Sequence, residues 1–181
     1  MLPHSPHLAR DRYQLVRQLG ERMKPTLSDA AAFLGEARIL ARLQHPHIVE
    51  IHDIGCDAQG MPYFVMELVE ESLGVLLARK KTLTADETLG LLLPIAGALA
   101  YVHDQGLTHR DLKPDNIAVS VPASRALHGK LLDFGIARAR DLREGAIVHG
   151  TPAYMAPEQA EGVACGPAAD VWSLGVIAYQ C

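Results

Sequence analysis

The run LGLLLPIAGALAYV, residues 89–102, carries no charged side chain, and soon after it the chain reads HRDLKPDN, residues 109–116. This almost uncharged run leads directly into a cluster of ionisable groups. Its ends are marked. Thr84-Ala-Asp-Glu87 is a capping box that opens the helix, and Gly106 closes it just after Asp104. Pro94 predicts a kink or a break inside it. The run is shorter than the ~20 residues that cross a bilayer, so it reads as a core helix. It delivers a cluster of His, Arg, Asp, Lys and Asn to one end of that core.

The elements before this helix read as strands and one further helix. Residues 1–12 read as a disordered arm, and Tyr13–Leu19 alternates polar and apolar as a short strand ending at Gly20. From Ser28 as N-cap, Ala30, Phe33, Leu34, Ala37, Leu40 and Ala41 fall on one helical face, and His45-Pro46 stops the helix. Glu36 lies on or near the buried face and needs a partner. Ile48–Ile54 and Tyr63–Val69 form a hairpin turned at 57–60, and strands follow the polar cluster near Ile117–Val121 and Lys130–Leu132. Strands first and helices later give an α+β class in two lobes.

With 49% hydrophobic and 21% charged residues, the chain can bury a core, and a net charge of −4 excludes a broad nucleic-acid footprint. Cys56, Cys165 and Cys181 show no CxxC spacing, so neither a disulfide framework nor a zinc site is indicated, and a reducing, cytoplasmic setting is expected. His45-Pro-His47 lacks the partners of a metal site. The amino-terminal segment has no apolar core of a signal peptide, and a chain without a membrane segment is expected.

Three polar motifs lie on loops between apolar elements: HRDLKPDN (109–116), DFG (133–135) and GTPAYMAPE (150–158). Alone, each reads as a solvated loop or a turn with a buried Phe; in this order and spacing they are specific. They resemble the catalytic loop, metal-binding loop and substrate-facing segment of eukaryotic-type protein kinases. The wording DFGIAR, GTPAYMAPEQ and ARLQHPHIV is most similar to the bacterial serine/threonine kinases, and the resemblance runs from about Tyr13 to Cys181. It implies a two-lobed kinase-like fold, a partial small lobe over 13–69 and a partial large lobe over 70–181. It implies ATP and Mg²⁺ as cofactors and a protein substrate with Ser or Thr.

By the same resemblance Asp111 would accept the proton of the attacking hydroxyl, and Lys113 would steady the γ-phosphate. Asn116 and Asp133 would hold Mg²⁺, a hard ion that favours oxygen. Thr151 would bond the aspartate and lysine and shape the acceptor pocket. Glu67 and Val69 would offer backbone groups to adenine, with Met66 behind them. Asp170 matches the residue that anchors the catalytic loop.

The sequence also departs from that pattern. Gly20 is followed by ERMKPTLSDAAAFLGEA, which has no glycine-rich loop and no V-A-I-K strand, and Lys24 is the one candidate for the missing lysine. Between Asp133 and Gly150 there is no Ser, Thr or Tyr to phosphorylate, so either Asp141 or Glu144 substitutes as a fixed charge for Arg110 or the loop is not regulated in this way. After Asp170 the chain reads VWSLGVIAYQC and stops, which predicts a large lobe that ends in its central helix. Two functions follow as expectations: a serine/threonine kinase, or an inactive remnant, fragment or pseudokinase acting as a binding module.

Overall fold

The computed structural model describes residues 34, 35, 38, 40–57, 62–121, 126–132, 151–163 and 165–181. The strand expected at 13–19, Lys24, Glu36 and the segment 133–150 lie outside these. The backbone divides into two compact units: one holds the described residues up to Arg42 with Glu50–Leu68, the other Leu43–Val49 with Val69–Cys181.

The first unit carries the expected hairpin. Strands β1 (Ile51–Cys56) and β2 (Pro62–Met66) pair antiparallel, from Ile51 opposite Met66 to Cys56 opposite Pro62, with a register shift between Ile51 and Asp53. Gly55 faces Tyr63, whose hydroxyl would lie 2.8 Å from a Cβ at this position, so a side chain there would displace the tyrosine ring. Both strands are displaced from expectation. β1 starts at Ile51, not at Ile48, because Ile48 and Val49 are buried in the second unit, where Val49 N–H donates to Leu131 O at 3.0 Å. β2 ends at Met66, after which Glu67 N–H still donates to Glu50 O at 3.0 Å.

The second unit is built on a three-stranded antiparallel sheet in the order β3 (Glu71–Ser72), β4 (Ile117–Ser120), β5 (His128–Leu131). Ser72 leaves β3 and caps helix α1 (Leu73–Lys80), accepting from Val75 N–H at 3.3 Å. Arg79 and Lys80 fall in the last turn, where cations complement the helix dipole. A Cβ at Gly74 would collide with the Asp115 carboxylate, so that loop seats against the first turn of α1.

Helix α2 (Ala85–Asp104) opens with the expected capping box: Glu87 N–H donates to Thr84 Oγ1 at 3.2 Å, and Thr84 N–H to Glu87 Oε2 at 2.9 Å. The Lys80 ammonium, aided by Thr84 N–H, holds the half-buried Glu87 carboxyl down at about 2. The helix passes through Pro94 unbroken. The amide hydrogen that Pro94 lacks would have bonded the carbonyl of Gly90, an exposed residue whose carbonyl water can satisfy. At 20 residues α2 is long and apolar enough to cross a membrane by length and composition, beyond what the shorter run 89–102 suggested. Its residues Leu91, Leu92, Ile95, Ala98, Leu99 and Val102 are nonetheless buried, as in a core helix. It packs on β5 and on α4 (Pro167–Gln180). A Cβ at Gly129 would sit 2.7 Å from Leu91 Cδ1 and 3.3 Å from Ile95 Cδ1, so the missing side chain is what lets the sheet close on the helix.

Truncating the fully buried Ile95 to Ala should therefore destabilise the chain by about 2–5 kcal/mol. Leu93→Ala, at a side chain 64% exposed, should change stability by no more than about 0.5 kcal/mol. Urea midpoints of the two variants against the parent check the contrast.

Candidate active site

The polar cluster begins where α2 ends. Gly106 takes the left-handed conformation (φ 74), and Leu107 N–H returns to Val102 O at 3.2 Å, turning the chain back across the helix end. His109 is then buried (1% exposed), with its Nε2 2.9 Å from Leu132 O. A carbonyl only accepts, so Nε2 carries the proton. The backbone N–H groups of His109 and Arg110 donate to Asp170 Oδ2 and Oδ1, each at 2.8 Å, and His103 Nε2 lies 2.8 Å from Oδ2. Asp170, in the first turn of α4, is fully buried. Three donors on one carboxylate are what make its burial tolerable. Arg110 sits at φ 65, a left-handed conformation that costs a residue with a Cβ about 1–2 kcal/mol.

Beyond that anchor four of the predicted residues converge. Thr151 N–H donates to Asp111 Oδ1 at 3.2 Å, and Lys113 Nζ donates to Thr151 Oγ1 at 3.1 Å while lying 3.4 Å from Asp111 Oδ2. Asp111 is 9% exposed. Pro114–Asn116 is a 3-10 turn with proline at its first position, where the missing N–H costs nothing. That turn brings Asn116 back under the loop, where its Nδ2 donates to Asp111 O at 2.8 Å. Leu132, the residue before Asp133 in the sequence, donates its N–H to Asn116 O at 2.9 Å. The segment after Thr151 forms a 3-10 turn (Pro152–Tyr154) and a short helix, α3 (Pro157–Ala160). Ser173 of α4 holds that turn through Tyr154 O at 2.7 Å.

Asp111, Lys113, Asn116 and Thr151 are thus gathered in one unit. Glu67 belongs to the other unit and Val69 to this one, whereas Asp133, with Phe134, Asp141 and Glu144, lies outside the described residues. Sequence reasoning missed His103, Gln159 and Ser173. Each is tied to the cluster by a single tertiary hydrogen bond or a pair of them, and no spacing rule announces such bonds.

The protein kinase domain model matches residues 15–181. The chain belongs to the protein kinase family. The serine/threonine-protein kinase PknA of Mycobacterium tuberculosis is 42% identical over 156 residues, which span 82% of this chain and 35% of that protein. The kinase pkn2 of Myxococcus xanthus is 40% identical over 158 residues, 83% of this chain and 19% of that protein. Pkn3 of the same organism is 33% identical over 181 residues, 96% of this chain and 33% of that protein. The chain spans about a third or less of the length of these relatives. Its fold is a partial kinase fold, with a small antiparallel hairpin in one unit and a sheet-and-helix body in the other.

The residues present fit a hard divalent cation in part. With the Asn116 Nδ2 committed to Asp111 O, its Oδ1 is the atom of the donor type Mg²⁺ takes. Among the described residues no three His, Cys, Asp or Glu gather as a metal site. In the His45-Pro-His47 pair, His47 N–H donates to His45 Nδ1 at 3.1 Å and His47 Nδ1 lies 2.7 Å from Gly129 O. These contacts serve a turn and its docking on β5.

Burial pushes the His109 imidazole below its ordinary value of 6.5, against the opposing pull of Asp170. The folded chain therefore keeps His109 neutral at pH values where the unfolded chain protonates it. Stability should be full above 6.5 and fall as pH drops below it, by at most about 1.4 kcal/mol per pH unit for this group. His45, lowered by burial and by His47, acts in the same direction. Urea midpoints taken between about pH 7.5 and 5.5 should decline, and less steeply in His109→Gln.

Proposed function

We propose that this chain is a serine/threonine protein kinase that transfers the γ-phosphoryl group of ATP to a protein hydroxyl. The observation that carries the reading is the Lys113 ammonium, bonded to Thr151 Oγ1 at 3.1 Å and 3.4 Å from Asp111 Oδ2. Phosphoryl transfer needs positioning and positive charge more than covalent help. A buried carboxylate fixed by a backbone N–H, beside an ammonium that an adjacent hydroxyl steadies, supplies both.

In this reading Asp111 orients the acceptor hydroxyl and takes its proton, and Lys113 steadies the transferred phosphoryl. Thr151 fixes the two against each other and borders the acceptor pocket, which favours Ser or Thr. Asn116 Oδ1 and Asp133 would hold Mg²⁺, which when bound with ATP supplies charge neutralisation at the phosphates. As the resemblance implies, Glu67 and Val69 would offer backbone groups to adenine. A cytoplasmic setting and a protein rather than nucleic-acid substrate complete the proposal, in keeping with the net charge of −4.

The test begins with melting curves of the purified chain with and without millimolar Mg·ATP. Ligand at a hundredfold over its dissociation constant adds about 2.7 kcal/mol. The rise should appear in the parent and vanish in Asp133→Ala. Asp111→Asn should keep the nucleotide response and lose phosphorylation of a Ser/Thr peptide library by about 10²–10⁴-fold. A melt indifferent to Mg·ATP overturns the kinase reading. A response without peptide phosphorylation marks the chain as a nucleotide-binding module.

A further inference from the structure

Gln159 connects the two segments of the site at a second point. Its side chain is 8% exposed, its Oε1 accepts from Ala156 N–H at 3.0 Å, and its Nε2 donates to Arg110 O at 2.9 Å. That carbonyl belongs to the peptide unit joining Arg110 to Asp111. The same Arg110 is the strained residue at φ 65 whose N–H is held by Asp170. Asp170 therefore pins the peptide before Arg110 and Gln159 pins the peptide after it. The backbone leaves this pair of constraints directly into Asp111.

We infer that Gln159 is a positioning residue for Asp111, its carboxamide holding the Arg110–Asp111 peptide plane and tying the catalytic loop to the segment 151–159. This rests on the kinase reading for the role of Asp111, though not for the geometry. The segment meets the loop twice: Thr151 N–H reaches the Asp111 carboxylate, and Gln159 reaches the Arg110 carbonyl. A shift of α3 would turn the peptide that carries Asp111, and a displacement near 1 Å in such a site costs about 10²-fold in rate. The residue type follows from the chemistry. Ala156 N–H needs an acceptor and Arg110 O needs a donor, and a carboxamide is the side chain of this length that offers one of each. An ionised carboxylate would satisfy the first and face the second with no hydrogen.

Two variants of similar size separate these roles. Gln159→Glu keeps the acceptor for Ala156 and removes the donor to Arg110 while ionised; Gln159→Met removes both. The first readout is the amide spectrum of the ¹⁵N-labelled chain, which needs no turnover. At neutral pH the Arg110 and Asp111 amides should move in both variants, and the Ala156 amide should move only in Gln159→Met. On acidification of Gln159→Glu the protonated carboxyl regains a donor, and the Arg110 and Asp111 amides should return toward their parent positions. The second readout is the phosphorylation of a Ser/Thr peptide, where kcat should fall by about 10–10²-fold with the KM for ATP held within about twofold. Arg110 and Asp111 amides that stay in place in Gln159→Glu, or a kcat equal to the parent's, would overturn the inference. If the parent itself shows no turnover, the kinase reading fails while the amide spectrum still decides the positioning role. If neither variant folds, the parent decides: scalar coupling across the hydrogen bond between Gln159 Nε2 and the Arg110 carbonyl carbon supports the inference, and its absence overturns it.

Discussion

The Asp170 carboxylate is the interaction on which the rest of the site depends. A buried charge of this kind costs several kcal/mol unless its oxygens are filled, and here they take the N–H groups of His109 and Arg110 and the ring of His103. Each partner comes from the end of α2 or the loop after it, whereas the carboxylate comes from the first turn of α4, where the helix dipole favours negative charge. The loop carrying Asp111 and Lys113 is therefore attached to a helix that follows it far along the chain. Its shape is inherited from the packing of α2 against α4.

From that anchor the constraints run outward in order. Arg110 is held left-handed, which a residue with a Cβ accepts only when its surroundings over-determine it. His109 spans from the loop to Leu132 on one side, and Leu132 N–H returns to Asn116 O on the other. The loop is thus stitched to the end of β5, and β5 is pressed on α2 through Gly129. Asn116 then fixes the Asp111 carbonyl, while Thr151 and Lys113 fix its carboxylate. The same set of contacts that orders the backbone also aims the side chains the proposed chemistry needs. A loss of packing at α2 would reach the site without touching it.

Much of this was legible in the residues. The capping box at Thr84, the end of α2 near Gly106 and the hairpin of β1 and β2 all depend on residues close in the chain. The strand edges were less legible. Ile48 and Val49 alternate as β1 does, but their burial against Leu131 takes them into the other unit. Pro94 carries the sequence signature of a helix break, yet α2 continues, because the carbonyl it orphans belongs to exposed Gly90 and because packing on both β5 and α4 holds the helix on either side.

The sequence by itself determined which residue types stand ready: a carboxylate, an ammonium, a carboxamide and a hydroxyl at 111, 113, 116 and 151, each on a loop behind a recognisable cap or turn. It could do so because caps, turns and motif spacings are local and are set by backbone sterics and nearest polar partners. Only the tertiary structure decided that Gln159 closes on Arg110, that His103 shares Asp170 with the loop, and through which atoms Thr151 reaches Asp111. These contacts join residues dozens of positions apart. Their pairing is settled by how buried polar atoms must be satisfied once the helices and the sheet have packed, and no local pattern encodes that requirement.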